Sequence, residues 1–128
     1  MEGKDFYIHL GKLLYSVAMA DGEVQNEELE ELYKLVTTEI ADEKLFDNNQ
    51  ADVFYTEFEF EELMNKKTSR IEAFQSFLKF FDENHTSFSV EIKAVTVNAV
   101  EQIAKSFNGI IEEERVMIDE LKDRMKLM

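Results

Sequence analysis

Phe6, Leu10, Leu13, Leu14 and Val17 recur at intervals of three and four residues, and no proline interrupts the chain there or anywhere else. An unbroken 3.6-residue repeat is the strongest constraint on this chain. It puts an apolar stripe on one face of a helix, and other helices must cover that stripe. Residues 5–20 form the first such segment. Residues 26–41 form the second, with Leu29, Leu32, Tyr33, Val36 and Ile40 facing inward. Glu27, Glu28, Glu30 and Glu31 crowd its start, where carboxylates favour a helix N-terminus, and Asn26 is the expected N-cap. The Asp- and Asn-rich stretch 41–52 reads as a loop. Residues 52–66 carry two periods at once. Phe58 and Phe60 alternate with Glu57, Glu59 and Glu61 as in a strand, yet no turn signal supplies a pairing partner, so a helix is expected. A further helix opens at Thr68 or Ser69 and faces Ile71, Phe74, Phe77, Leu78 and Phe81 inward. Residues 82–87 form a second loop. A helix over 89–106 carries Ile92, Val95, Ala99 and Ile103, with Phe107 continuing its spacing, and a last helix spans 112–126 with Met117 or Ile118, Leu121 and Met125 inward. With 128 residues and 45% hydrophobic content there is enough for one core and too little for two. The expectation is an all-α, single-domain bundle of about six helices over residues 1–128.

The chain also echoes itself. "AMADGEVQNEELEEL" (18–32) aligns with "KSFNGIIEEERVMID" (105–119), pairing Asp21-Gly22 with Asn108-Gly109, Val24 with Ile111, and Glu27 with Glu114. In each copy an apolar helix ends, Asp/Asn-Gly turns the chain, a β-branched residue follows, and a Glu-rich helix starts. Glycine adopts positive φ without steric cost, so it can end a helix in the left-handed conformation. The β-branched residue can pack back as a hydrophobic staple. An approximate internal repeat of a helical hairpin follows.

Charge limits the partners. There are 28 acidic and 14 basic side chains, a formal net charge of −14. Such a field repels nucleic-acid phosphates and anionic lipid, and is compatible with a basic protein partner or a divalent cation. The chain has no cysteine, which removes disulfides, thiolate nucleophiles and cysteine zinc sites. Ala18-Met19-Ala20 resembles a signal-peptidase site, but Glu2 and Asp5 precede an apolar run only about eight residues long, so the stretch reads as the end of a core helix. No segment reaches the roughly 20 apolar residues of a membrane span. A cytoplasmic protein is expected.

The first corner invites a calcium reading. With Gly22 at position six of an EF-hand loop, Asp21 falls at five, Glu23 at seven, Val24 at eight and Glu28 at twelve. Positions one and three then fall on Val17 and Met19, which offer no side-chain oxygen, and in the second copy Arg115 stands at twelve. Asp21 and Glu28 remain the candidate metal ligands, within a looser carboxylate set that includes Glu23 and Glu27. The rival reading is a solvated helix N-terminus. His9 and His85 lie in no metal-ligand spacing, and neither a nucleophile elbow nor a glycine-rich phosphate loop is present, so no enzyme is expected. The phenylalanines at 54, 58, 60, 74, 77, 80 and 81 read first as core. Phe58 with Phe60, and Phe80 with Phe81, exceed what one helix face buries, so some would mark a partner surface or a homodimer interface. The alternative is a bundle that holds an apolar small molecule in a Phe-lined interior.

An apolar helix ending in "ADGEV", then "NEELEEL", with a second "FNGIIEEE" near the C-terminus, resembles the TerB-like domains. These comprise the tellurite-resistance TerB family and the N-terminal domain of DjlA-type co-chaperones. The resemblance is most specific over residues 10–36, weaker over 100–120 and silent between 42 and 88. It implies a stress-related binding or scaffolding domain without catalysis. It places the acidic turn at Asp21, Glu23, Glu27 and Glu28, and at Asn108, Glu112, Glu113 and Glu114 in the second copy. Asn for Asp in the second turn, and the long, Phe-rich middle, depart from the family pattern. Tellurite resistance is not carried over, because a fold does not fix a function.

Overall fold

The computed structural model describes residues 1–126 of the chain, which are helical with no strand among them. The helices are α1 (Gly3–Ala18), α2 (Asn26–Lys34), the single turn α3 (Asn49–Asp52), α4 (Tyr55–Lys66), α5 (Arg70–Asn84), α6 (Val90–Lys105) and α7 (Glu112–Met125). Six of them are long, and they share one contiguous core.

The first helix is the axis of the bundle. Its stripe is wider than the spacing of five residues suggests: Tyr7, Tyr15, Ser16 and Ala18 are buried as well, so α1 is covered on nearly every side. It packs against α4, α5 and α6. Burying its polar groups requires partners. The Tyr15 hydroxyl donates to Thr68 O at 2.6 Å, and Thr56 Oγ1 donates to Tyr7 O at 3.0 Å. Contact with α4 is closest at Gly11, where an added Cβ would lie 2.6 Å from the backbone oxygen of Thr56. Only hydrogen fits between those two backbones.

Residues 52–66 are helical from Tyr55 onward, and the alternation of their phenylalanines resolves into two environments. Phe60 is fully buried, whereas Phe58 is 61% exposed. The expected loop at 41–52 is partly ordered. Beyond α2 the backbone continues as a π-helical segment (Leu35–Ile40) and a 3₁₀ turn (Ala41–Glu43). The Thr37 and Thr38 hydroxyls donate back to Tyr33 O (2.8 Å) and Lys34 O (2.6 Å), a competition that loosens regular α-geometry. Asn49, on α3, is buried and ties this end down. Its Nδ2 donates to Ile40 O and Ala41 O, each at 3.1 Å, and its Oδ1 accepts from the Tyr7 hydroxyl.

Several inward assignments change. Tyr33 is 36% exposed, its hydroxyl donating to Glu61 on α4, and Ile71 is 57% exposed on the outer face of α5. Phe80 and Phe81 are both buried, because α5 lies against two apolar neighbours at once. Phe80 stacks on His9 of α1 at 4.0 Å, while Phe81 meets Phe88 edge-on at 4.8 Å. Phe88, in the α5–α6 connection, is the hub of the aromatic interior and also contacts Phe6, Phe77 and Phe80. These rings fill one another's edges and faces. Phe107 lies past the end of α6 and is half-buried.

Candidate acidic corner site

Both Asx-Gly corners form, but with different geometry. At the first, α1 ends at Ala18 and Gly22 adopts φ +103° after a turn closed by Gly22 N–H donating to Met19 O at 2.9 Å. The glycine therefore sits at the base of the turn and does not cap the helix directly. At the second, Asn108 (φ 57°) and Gly109 (φ 78°) are both left-handed. Asparagine tolerates that conformation better than most residues. The second corner uses one residue fewer before its helix starts. The N-cap of α2 is Gln25, one residue ahead of the expected Asn26, and the N-cap of α7 is Ile111.

That one-residue difference changes which glutamates correspond. Glu28 Oε1 accepts from the Gln25 backbone N–H at 2.8 Å, and Glu114 Oε1 accepts from the Ile111 backbone N–H at 3.0 Å. Both are at the third helical position, the carboxylate half of a capping box. The structural partner of Glu114 is thus Glu28, where the ungapped alignment pairs it with Glu27. Glu28 is 3% exposed and Glu114 is 5% exposed.

Burial sets their chemistry. Loss of water raises the Glu28 carboxyl to about 7, aided by repulsion from Asp21, Glu114 and Glu27 and opposed by the Gln25 hydrogen bond. Burial raises Glu114 too, again with repulsion from Asp21. Asp21 acts on both buried carboxyls, so the two corners, far apart in sequence, share one neighbourhood. Packing of α2 on α6, which α7 follows, brings them there.

The remaining candidates lie outside this pair. Asp21, Glu23, Glu27, Asn108, Glu112 and Glu113 are exposed. Asp21 Oδ1 accepts from the Glu23 backbone N–H at 3.2 Å, and the Gln25 side-chain amide bridges Glu23 (3.0 Å) and Asp21 (3.5 Å). Gln25 was not anticipated from the sequence, since it carries no charge and precedes the acidic run. Among the described residues none of these carboxylates is within salt-bridge distance of a lysine or arginine.

The EF-hand register fails on geometry as well as on chemistry. Val17 at its first position is fully buried in the core and still helical, so the chain there cannot wrap an ion. Among the described residues, no three Asp, Glu or His side chains converge as metal ligands do. Glu28, a candidate metal ligand, accepts the N–H at a helix start from a buried position, and Asp21, the other candidate, accepts the Glu23 N–H in the exposed turn before it. His9 is half-buried, with Nδ1 2.8 Å from Asp5 O and its ring on Phe80; burial lowers its pKa. No described helix is long and apolar enough to cross a membrane.

Compared with known proteins, the chain matches no family model, no curated protein sequence and no solved structure.

Proposed function

We propose that the chain is a TerB-like interaction domain, a cytoplasmic binding or scaffolding module without catalysis, whose two acidic corners together recruit a basic protein partner. One observation carries this reading. Five carboxylates, at Asp21, Glu23, Glu27, Glu112 and Glu113, are exposed at the two corners that bury Glu28 and Glu114, and none of the seven forms an ion pair among the described residues. Unpaired like charge gathered at two adjoining corners repels itself. A cationic surface relieves that repulsion and is steered toward it from beyond contact distance. The same charge attracts divalent cations, which would compete with the partner for the corner.

Co-purification from the native host tests the reading, comparing the chain with an Asp21→Asn/Glu23→Gln/Glu27→Gln variant. All three side chains are exposed, so the variant keeps the core. The expected result is a basic protein retained by the parent chain at low salt, released near ~0.5 M salt as the Debye length shrinks, and recovered poorly by the variant. Equal recovery by both chains, or retention insensitive to salt, would refute it.

A further inference from the structure

Beside the second corner, the outer faces of α5 and α7 leave a groove open. Arg70 at the start of α5 reaches Met117 of α7, Nη1 to Sδ 3.8 Å, and at the far end Arg124 of α7 pairs with Asp82 of α5 at 2.7 Å. The two helices therefore run in the same direction with side chains bridging them at both ends. Along these helices lie two clefts of about 380 and 360 Å³ that share Gln75, Leu78 and Glu120, the first reaching back past Met117 to Glu112. Together they reach from Arg70 to Asp82, twelve helical steps or roughly 18 Å at the rise of 1.5 Å per residue.

The groove has an apolar floor and a rim that is acidic at the end beside the corner. Phe74, Leu78 and Met117 form the buried floor, each less than a tenth exposed. Ile71 and Val116 stand at its sides, 57% and 56% exposed. Isolated apolar residues at a surface need no explanation, but two that face each other across an apolar cleft form a continuous patch. Glu112, Glu113 and Glu120 line the first cleft beside Arg70, and the second carries Asp82, Glu83 and Glu120 beside Lys79 and Arg124. Arg124 pairs with both Asp82 (2.7 Å) and Glu120 (3.9 Å), so the uncompensated acid lies at Glu112 and Glu113. Two of those glutamates, Glu112 and Glu113, also belong to the corner, so the acidic face runs directly into the groove.

The geometry points to an amphipathic, basic helical segment of another protein as the occupant. Apolar residues spaced at i, i+3, i+4 and i+7 would cover Ile71, Val116 and the floor, while lysine or arginine at the corner end would meet Glu112 and Glu113. The groove length matches about three turns of such a helix. A second copy of this chain is disfavoured as occupant by its own charge of −14, and an anionic membrane surface by the same field. The inference rests on the reading of this protein as a binder of basic proteins, and specifies which segment of the partner is held and where.

The test uses two fluorescein-labelled peptides of about 15 residues, enough to fill the groove. One has leucines on a single helical face and lysines elsewhere. The other replaces every leucine with serine at equal charge. Anisotropy titrations are run on the parent chain, on Ile71→Ser/Val116→Ser, and on the corner variant Asp21→Asn/Glu23→Gln/Glu27→Gln. Circular dichroism melts confirm that the variants, altered only at exposed positions, remain folded. The expected result is that the leucine peptide binds at least roughly tenfold tighter than the serine peptide. The groove variant should abolish that difference and leave serine-peptide binding unchanged. If both peptides bind alike, and only the corner variant weakens them, the groove falls and the acidic-face reading stands. If neither peptide binds, both fall.

Discussion

Glu28→Gln is the substitution whose effect follows most directly from the corner geometry. Glutamine has the same shape, and its amide oxygen can still accept the Gln25 N–H that Glu28 accepts at 2.8 Å. What changes is the charge. In the fold the Glu28 carboxyl takes up its proton near pH 7, against an ordinary value of 4.5. Between those values the folded chain binds more protons than the unfolded chain, so stability falls as pH rises and levels off above the folded value. At about 1.4 kcal/mol per pH unit, the displacement corresponds to about 3 kcal/mol at pH 8. The Gln25 hydrogen bond, which favours the charged form, is already contained in that net displacement, and glutamine carries none of the cost. The variant should therefore be more stable than the parent by about 3 kcal/mol at pH 8, which is about 12 °C in Tm for a domain of this size. By pH 4.5 the gain should have almost vanished, because the parent is then protonated in the fold and half protonated in the unfolded chain. Thermal unfolding followed by circular dichroism at pH 4.5, 6 and 8 gives both curves. The difference between them isolates Glu28 from the general repulsion of an acidic chain. A variant less stable than the parent at pH 8, or a difference that does not change with pH, would refute the burial argument.

Other perturbations probe the packing around the site. Gly11→Ala should destabilise the fold by about 1–3 kcal/mol in urea unfolding, despite alanine's better helix propensity, because its Cβ meets the Thr56 carbonyl oxygen; a stabilised variant would show that α1 and α4 are not in backbone contact. Phe60→Ala should cost about 3–5 kcal/mol and Phe58→Ala under about 1 kcal/mol, since one ring is buried and the other exposed; equal costs would put the strand-like alternation back in contention. Asn49→Ala strands the Tyr7 hydroxyl and the Ile40 and Ala41 carbonyls, and should cost about 3 kcal/mol in the same assay. An unchanged midpoint would mean that water serves those groups equally well.

The periodic apolar spacing makes the all-helical bundle legible in the sequence, because covering a stripe requires packed helices wherever the chain is unbroken. Glutamates at the two helix starts and the turns at Gly22 and Gly109 are equally legible, since local chemistry decides them. What the sequence could not show depends on tertiary placement. Asn49 reads as a loop residue because asparagine favours turns, and only the fold reveals that it plugs the end of the π-helical segment. Glu27 and Glu28 look alike as neighbours in an acidic run. A one-residue difference in turn length buries Glu28 and leaves Glu27 in solvent. The groove had a faint signal: Val116, Met117 and Ile118 are three consecutive apolar residues, more than one face of α7 can bury, and Val116 is the one left outside. Ile71 offered no such warning, because its spacing from Phe74 and Leu78 is that of a core residue.

The most direct test of the acidic face and its groove is an amide chemical-shift map of the ¹⁵N-labelled chain titrated with the leucine–lysine peptide at ~0.15 M salt. Shifts should concentrate at residues 70–79 and 112–120, spread to Asp21, Glu23 and Glu27, and shrink as salt is raised. Shifts centred instead on Tyr33, Phe54 and Phe58, the exposed aromatic residues elsewhere on the surface, would contradict the account.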